Sequence, residues 1–421
     1  MIKRLSNSKS NEVRTVYLDY AATTPMDDRV INVVLKHFKE TYGNSSSLHS
    51  IGQKAAQLLE QSRSTIASFI NANREDIIFT GSGTESDNIA VIGVAMKNRK
   101  RGNHIITSSI EHHAVENPCK MLQKEGFDVT FLPVDKYGLI NLKELEEAIT
   151  DKTILISIMF ANNEIGTIEP IKEIGKIARD HDIIFHTDAV QAFGKIPIDV
   201  NELNIDLLTA TAHKIYGPKG VGMLYIRDKG IRKGWGKYIQ PIMWGGGHER
   251  DMRPSTVAVP LIVGFAKAVE ICKEEMDEES KREAKLRDKI IKWILENIED
   301  TYLNGHPTKR LPNNVNIGFK YIEGESIVLD LDMEGIAVST GSACSSKSLE
   351  PSHVLLAIGL RPEEAHGSMR ATVGRFTTEE DIDYFLDKLP KTIERLRRMS
   401  PLKKDVKYMF EESESHTHNH S

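Results

Sequence analysis

The sequence has few cysteines, few aromatic residues and no long apolar run, and these shortages exclude several classes of protein. Its three cysteines, Cys119, Cys272 and Cys344, are too few and too scattered for a disulfide framework or a CxxC metal site. They suit a reducing compartment, in which a free thiol remains available as a nucleophile. The longest apolar stretch, residues 257–266, is far too short to cross a bilayer.

Charge of one sign is not in large excess either, because the formal net charge of the 421 residues is -5. No basic run is interleaved with aromatic residues, so neither a nucleic-acid partner nor an anionic membrane is expected. Residues 1–15 are polar and lack the apolar core of a secretory signal. The composition therefore predicts a cytoplasmic enzyme without a resident metal, and the length suits two packed domains.

Residues 17–227 alternate short apolar runs with amphipathic stretches, which predicts a mainly parallel sheet with helices on both faces. The predicted strands are 77–80, 104–107, 129–133, 154–160, 183–187, 207–210 and 222–226. The predicted helices are 53–70, 85–98, 114–124 and 171–180. In such sheets ligands bind beyond the carboxyl ends of the strands, so the polar residues that follow each strand are the candidate site.

A charged amphipathic helix is predicted at 265–299, and a smaller α+β region follows it. That region has predicted strands at 315–319, 337–340 and 369–373 and predicted helices at 325–333 and 378–397. The expected division is a large domain at 21–261 and a small C-terminal domain at 262–405, with residues 1–20 packed on the small domain. The tail, 406–421, is expected to be disordered, and its histidines, His416, His418 and His420, are assigned no role.

The segment 77–88 (IIFTGSGTESDN) runs from a strand through a glycine-rich turn into a helix. Glycine lets the backbone approach an anion, and a helix start offers unpaired N–H groups, so Gly83 and Thr84 are candidates for binding a phosphate. An ordinary capped helix is the competing interpretation.

Three further segments place polar side chains directly after predicted strands. His112 (in SIEHHA) could stack on a flat aromatic cofactor, and Asn162 or Asn163 (in ANNEIG) could donate an amide hydrogen bond. Asp188 (in IIFHTDAVQ) could keep a pyridinium nitrogen protonated, and Gln191 could reach a ring substituent. The alternatives are a partly solvated histidine, turn chemistry at the asparagines and a helix-capping aspartate.

The segment 207–220 (LLTATAHKIYGPKG) carries the strongest single signal. A lysine at the end of a buried strand loses water, lowers its pKa and can form an imine with an aldehyde, which makes Lys214 the candidate. Thr211 and His213 could add donors to a phosphate. A solvent-facing lysine before a turn is the competing view, but it leaves the neighbouring histidine and hydroxyls unexplained.

Two residues of the second domain complete the candidate set. Cys344 lies among Ser, Gly and Ala residues, which suits a mobile nucleophile better than a packed core thiol. Arg370, in a predicted strand, could hold a substrate carboxylate through paired hydrogen bonds. The alternatives are an incidental loop cysteine and a salt bridge inside the small domain.

Together these segments resemble the cysteine desulfurases of the NifS/IscS type, within the class V aminotransferase group of fold-type I pyridoxal-phosphate enzymes. The likeness extends from 17–25 (YLDYAATTP) to about residue 401 and includes 213–220 (HKIYGPKG), 245–250 (GGGHER), 341–344 (GSAC) and 374–379 (GRFTTE). It implies α/β architecture, conversion of L-cysteine to L-alanine, and transfer of sulfur to Cys344 as a persulfide. It also implies a homodimer that passes sulfur to an IscU-like iron–sulfur scaffold protein or another acceptor, with transient contact between Cys344 and a cluster.

The resemblance implies a role for each site residue. Lys214 holds pyridoxal 5'-phosphate as an imine, Asp188 pairs its ring nitrogen, and His112 stacks on the ring and shuttles protons. The remaining residues are implied to bind the phosphate (Gly83, Thr84, Thr211, His213 and, from the dimer partner, Thr256), the phenolic oxygen (Asn163, Gln191) and the substrate carboxylate (Asn163, Arg370). The chain departs from the family pattern at 81–84 (GSGT), at 253–256 (RPST), in an insertion near 231–238 and in the tail after residue 404.

Alternative functions remain open at this point. A class V aminotransferase or a selenocysteine lyase would use the same lysine apparatus, although a transaminase has no need of Cys344. A catalytically silent interaction subunit that kept the fold is an alternative of another class.

Overall fold

The computed structural model describes residues 14–227, 238–340 and 350–401. Its strands are β1 (Val16–Tyr17), β2 (Ile77–Thr80), β3 (His104–Ser108), β4 (Asp128–Leu132), β5 (Thr153–Ser157), β6 (Ile184–Asp188), β7 (Leu207–Thr211), β8 (Gly222–Ile226), β9 (Thr301–Leu303), β10 (Asn314–Phe319), β11 (Ile336–Ala337), β12 (Ser339–Thr340) and β13 (Ser368–Thr372). Its helices are α1 (Asp28–Glu40), α2 (Ser50–Phe69), α3 (Gly83–Asn98), α4 (His113–Lys124), α5 (Leu142–Glu147), α6 (Ile171–Asp180), α7 (Val259–Asn297), α8 (Gly324–Met333), α9 (His353–Ala357), α10 (Pro362–His366) and α11 (Glu379–Met399).

The larger sheet has seven strands in the order β2-β8-β7-β6-β5-β3-β4. The pairs from β7 through β4 are parallel, whereas β8 runs antiparallel to both β2 and β7. Most of these strands are buried along their whole length, as expected for a sheet covered by helices on both faces. The carboxyl ends of β2, β3, β5, β6 and β7 consequently lie along one edge of the sheet.

The smaller sheet has the order β12-β13-β10-β9 and is antiparallel throughout. Beside it β1 pairs in parallel with β11, so that the start of the described chain lies against residues 336–337. An apolar core that includes Val16, Leu18 and Phe385 fills the space between this sheet, α8 and α11. Helix α11 begins with a capping box formed by Thr378 and Asp381.

Helix α7 contributes to the cores of both regions. Near its start, Ile262 and Phe265 pack into the core of the larger sheet. Near its end, Leu286, Ile290 and Ile294 pack into the core of the smaller sheet. The boundary expected between residues 261 and 262 thus falls within the first turn of one continuous helix, and the division into domains stays a prediction.

Among the helices of the described ranges, none is long and apolar enough to cross a membrane.

Candidate active site

Ten residues selected from the sequence line a single cavity of about 300 Å³ at the carboxyl edge of the larger sheet. They are Gly83, Thr84, His112, Asn163, Asp188, Gln191, Thr211, His213, Lys214 and Arg370. Nine of them follow or end strands of the larger sheet or open the next helix, and Arg370 reaches the cavity from β13. The fold therefore brings together residues that are up to 287 positions apart in the chain.

The start of α3 forms one wall of the cavity. Ser82 caps this helix, because its side chain accepts a hydrogen bond from Glu85 N at 3.1 Å. Gly83, the first helical residue, has no room for a larger side chain, since an added Cβ would lie 2.9 Å from Val190 Cγ2. The wall thus offers a closely approachable backbone at a helix N-terminus, where anions are stabilised.

Lys214 ends a 3₁₀ turn, Ala212–Lys214, that directly follows β7. Its Nζ donates hydrogen bonds to the carbonyl oxygens of Ala21 and Ala22, at 2.5 and 2.7 Å. These two carbonyl oxygens hold the amine in place. The amine is thereby fixed at the cavity wall, where an aldehyde could meet it.

Asp188 ends β6 and is buried. Its Oδ1 accepts a hydrogen bond from Val190 N at 2.9 Å. Burial raises the pKa of the carboxyl group to about 6, although the hydrogen bond from Val190 and the charge of Lys214 act in the opposite direction. A carboxylate in this setting gains most from a cationic partner such as a protonated ring nitrogen.

Gln191 is buried near Asp188 and has one side-chain atom without a partner. Its Nε2 donates to Ala21 O at 2.9 Å, whereas its Oε1 has no hydrogen-bond partner within the described ranges. A buried polar atom left unpaired costs free energy. A polar ligand in the cavity is the natural means of satisfying Gln191.

His112 caps α4 and lines the cavity as a neutral ring. Its Nδ1 accepts a hydrogen bond from Ala114 N at 3.1 Å, which places the proton of the neutral imidazole on Nε2. Burial, together with the charge of Lys214, lowers the pKa of His112 to about 4. The ring is thus uncharged at neutral pH and suits stacking on an aromatic system.

Two residues beside the lysine add hydrogen-bonding groups. His213 Nδ1 lies 3.2 Å from Thr23 Oγ1, and burial lowers the pKa of His213 to about 4. Thr211 is buried at the end of β7, and its hydroxyl donates to Val221 O at 3.1 Å. Both line the cavity, and Thr211 lies beside Gly83 at the start of α3.

Arg370 closes the cavity from the smaller sheet and is only 2% exposed. Its Nη2 donates to Asp19 Oδ1 at 2.9 Å, and its Nη1 donates to the backbone oxygen of Asn163 at 3.1 Å. Its Nε has no hydrogen-bond partner within the described ranges. A buried guanidinium with a spare donor can bind a carboxylate.

Three candidates do not line the cavity. Asn162 is turned into the protein, where its Nδ2 donates to Ile110 O and its Oδ1 accepts from Glu164 N. Thr256 is exposed, so its contact with a phosphate across a dimer stays a prediction. Cys344 lies outside the described residues.

The cavity also has lining residues that the sequence analysis did not select. They are Ala21, Ala22, Ser82, Asp87, Met159, Ala161 and Val190. Ala21 and Ala22 belong to the segment 17–25, which carried part of the resemblance but had no role assigned. Asp87 is buried near Asp188, and burial with that neighbouring charge raises its pKa well above the usual value. Asp87 lies between other polar residues, Glu85 and Asn88, so the sequence pattern did not single it out as a residue of the cavity.

Comparison with known proteins agrees with this geometry. The family described as Aminotransferase class-V matches residues 16–385. The cysteine desulfurase IscS 1 of Archaeoglobus fulgidus is 54% identical over 386 residues, which are 92% of this chain and 99% of the relative. The cysteine desulfurase IscS of Dictyoglomus turgidum is 53% identical over 394 residues, 94% of this chain and 98% of the relative. A solved structure of a NifS-like protein superposes with a TM-score of 0.84 at 38% identity, covering 91% of this chain and all of that one, which confirms the expected α/β fold.

Proposed function

The chain belongs to the class V aminotransferase family, and on that premise we propose that it is a cysteine desulfurase. It converts L-cysteine to L-alanine and transfers the sulfur atom to an enzyme cysteine. The observation that carries this function is the convergence of Lys214, Asp188, His112 and Arg370 on one cavity. The relatives of that name, 54% and 53% identical over more than nine tenths of the chain, support the same activity.

The cavity fits pyridoxal 5'-phosphate. Lys214 would hold the aldehyde, Asp188 would pair the ring nitrogen, and the start of α3 at Gly83 would receive the phosphate. Two structural features agree with such a ligand: Gln191 Oε1 has no partner among the described residues, and Gly83 has no room for a Cβ. When bound, the cofactor supplies an electron-withdrawing ring that stabilises negative charge on the substrate carbon next to the amine.

Arg370 orients the substrate. Its guanidinium is buried, and its spare Nε can donate to the carboxylate of cysteine while Asn163, whose backbone oxygen it already contacts, lies beside it. Binding the carboxylate at this wall leaves the substrate amine and thiol to point into the cavity. The proposed role of Arg370 is therefore positioning by charge and hydrogen bonding.

Lys214 moves protons, and His112 assists by hydrogen bonding. The Nζ of Lys214 is an amine at the cavity wall that can take a proton from the substrate α-carbon and return it. The Nε2 of His112 carries the proton of a neutral ring, so its N–H can donate a hydrogen bond and stabilise negative charge that develops beside it. Both atoms belong to side chains held by backbone hydrogen bonds, which fixes their position.

Cys344 is the proposed sulfur acceptor. The other two cysteines are buried in α4 and α7, and burial raises the pKa of Cys119 and of Cys272 to about 12, so neither is a thiolate at neutral pH. In the transfer of sulfur, the Cys344 thiolate forms a bond to the substrate sulfur, and the carbon–sulfur bond of the substrate breaks. The β-carbon then receives a proton, giving alanine and a persulfide on Cys344.

The proposed setting of the enzyme is a cytoplasmic homodimer of fold-type I. In this dimer Thr256 of one subunit would reach the phosphate bound by the other, and an IscU-like scaffold protein or another acceptor would take the sulfur for iron–sulfur cluster assembly. The exposure of Thr256 supports a role at a subunit contact.

The test is a cysteine substitution with a matched control. Cys344→Ala is expected to abolish sulfide and alanine formation from cysteine while the cofactor stays bound. Cys119→Ala, which removes a buried thiol that does not line the cavity, is expected to keep turnover within about twofold. Full cysteine turnover by Cys344→Ala would rule out the assigned role and would favour a different acceptor.

A further inference from the structure

A second group of reactive side chains lies beside the cavity but takes no part in the proposed chemistry. His113 and Glu116 are three residues apart on α4, and His353 is the first residue of α9. One potential ligand atom of each lies within 4.8 Å of those of the other two. His113 Nδ1 and Glu116 Oε2 are 2.8 Å apart, and the ring centroids of the two histidines are 4.9 Å apart.

The hydrogen bond of His353 leaves one ring nitrogen available as a ligand. Its Nε2 lies 2.9 Å from the backbone oxygen of Glu111. A carbonyl oxygen only accepts, so Nε2 carries the proton and Nδ1 keeps its lone pair. Histidines that bind metals in proteins usually donate their other ring N–H to a carbonyl or carboxylate in this way.

We propose that His113, Glu116 and His353 form a binding site for a divalent transition-metal ion of the zinc class, with water as a further ligand. Two imidazoles and one carboxylate are a ligand set that Zn²⁺ takes in open sites. The same set offers too few oxygen atoms for Ca²⁺ or Mg²⁺.

Small side-chain movements suffice to close the site. Tetrahedral coordination at zinc–nitrogen distances of about 2.0–2.1 Å places ligand atoms about 3.3 Å apart. The present limit of 4.8 Å therefore requires an approach of at most about 1.5 Å. The His113 side chain is 40% exposed, so packing surrounds only part of its ring. Lys120 pairs with Glu116 Oε1 and leaves Oε2, the atom nearest His113, for the ion.

The proposed metal site lies next to the active-site cavity but takes no part in the desulfurase reaction. His113 follows His112, which lines the cavity, and His353 stands nine positions after Cys344 in the sequence. An ion held by all three side chains would tie the start of α9 to the start of α4. It would thus join two chain segments that border the site of sulfur transfer.

The test is a titration of the cofactor-loaded chain with Co²⁺, a spectroscopic probe for zinc sites. The background chain carries His416→Ala, His418→Ala and His420→Ala, because closely spaced histidines of the tail could bind metal on their own. Calorimetry is expected to give one ion per chain. The visible absorption of bound Co²⁺ is expected to be that of a four- or five-coordinate nitrogen and oxygen site without a thiolate band.

His113→Ala and His353→Ala are each expected to weaken Co²⁺ binding at least tenfold, since even the loss of a supporting contact costs a metal site about 10- to 100-fold. The matched control is His181→Ala, because His181 lies 3.7 Å from Glu146 with similar exposure but belongs to no three-residue cluster in the described part of the chain. Circular dichroism and cofactor absorption verify that each variant is folded.

Equal affinity in the background chain and in both cluster variants would overturn the proposal. A thiolate absorption band of bound Co²⁺ that persists in His353→Ala would also overturn the proposal, because it would show that a cysteine binds the ion. Because His113 lies on the surface of a helix, His113→Ala keeps the test decisive if His353→Ala fails to fold. Neither readout depends on cysteine turnover.

Discussion

Arg370 illustrates at the residue scale how one buried side chain can serve both the fold and the site. It forms an ion pair with Asp19 at 2.9 Å and bonds the backbone of Asn163, yet its Nε has no partner within the described ranges. From the sequence, this arginine could make a salt bridge or bind substrate. The structure shows the salt bridge, and it also places the same side chain in the lining of the cavity.

Arg370→Lys is expected to raise the KM for cysteine and to lower kcat/KM roughly 10- to 100-fold, because a hydrogen bond to a charged group is worth about 1.5–3 kcal/mol. Steady-state assays of alanine formation measure both constants. Arg375→Lys is the control, since Arg375 forms buried ion pairs with Asp27 and Glu279 at 2.9 and 2.8 Å but does not line the cavity. An unchanged KM in Arg370→Lys would contradict substrate binding by Arg370.

The sequence identified most of the site because its chemistry lies in short segments at strand ends. Lys214, Asp188 and His112 each lie within a few residues of a predicted buried strand. Burying a polar side chain there costs free energy unless the side chain has a bonding partner. Ala21 and Ala22 could not be found in this way. They act through backbone oxygens that any residue possesses, and only the fold places them 2.5–2.7 Å from Lys214 Nζ.

At the scale of elements, the start of α3 is the feature with the most direct consequence for binding. Ser82 caps the helix, Gly83 opens it, and Val190 packs so close that no Cβ fits between them without displacement. The helix therefore combines a favourable dipole with a backbone that a phosphate can approach. A larger residue at position 83 should damage this wall while keeping the helix.

Gly83→Ala is expected to weaken cofactor binding about 5- to 150-fold, because overpacking of this size costs about 1–3 kcal/mol and the methyl group enters the phosphate wall. Titration of the cofactor-free chain, followed by visible absorption, measures the dissociation constant. Lys97→Ala, at the exposed other end of α3, should leave that constant unchanged. Equal binding by Gly83→Ala and the unmodified chain would place the phosphate elsewhere.

The helices and strands that were predicted have clear periodicity, but helix α1 was missed although it is amphipathic and Asp27 caps it. Strands β2 and β8 and helix α6 begin and end at the predicted residues, and α7 differs from its prediction by a few residues at each end. The prediction for 337–340 was wrong in detail, because two short strands, β11 and β12, lie there in different sheets. The short β1 and β9 depend on pairing with distant strands, which local patterns do not reveal.

At the scale of the whole molecule, several acidic groups are buried by the packing of the larger sheet against its connections. Glu169 is one of them and does not line the cavity. Its Oε2 accepts from Ile140 N at 3.2 Å, whereas its Oε1 has no partner within the described ranges. Burial, with added repulsion from Glu111 and Asp135, raises the pKa of Glu169 to about 8.

The raised pKa has a definite effect on stability. Between the ordinary pKa of glutamate and pH 8 the folded chain holds a proton on Glu169 that the unfolded chain has lost. This stabilisation is therefore complete at low pH and is lost as pH rises to about 8, by up to about 1.4 kcal/mol per pH unit. Glu169→Gln is expected to remove that part of the slope between pH 5 and 8. Urea unfolding of the cofactor-free chain measures it, and an unchanged slope would show that Glu169 is ionised in the folded state.

The most direct test of the central claim is to locate the bond between the chain and its cofactor. The chain is loaded with pyridoxal 5'-phosphate and reduced with borohydride, and its peptides are analysed by mass spectrometry. The account predicts a single pyridoxyl-modified lysine at Lys214 and no modification in Lys214→Ala. Modification of another lysine, such as the buried Lys195, whose Nζ lies 3.4 Å from the backbone oxygen of Lys214, or of none, would contradict it.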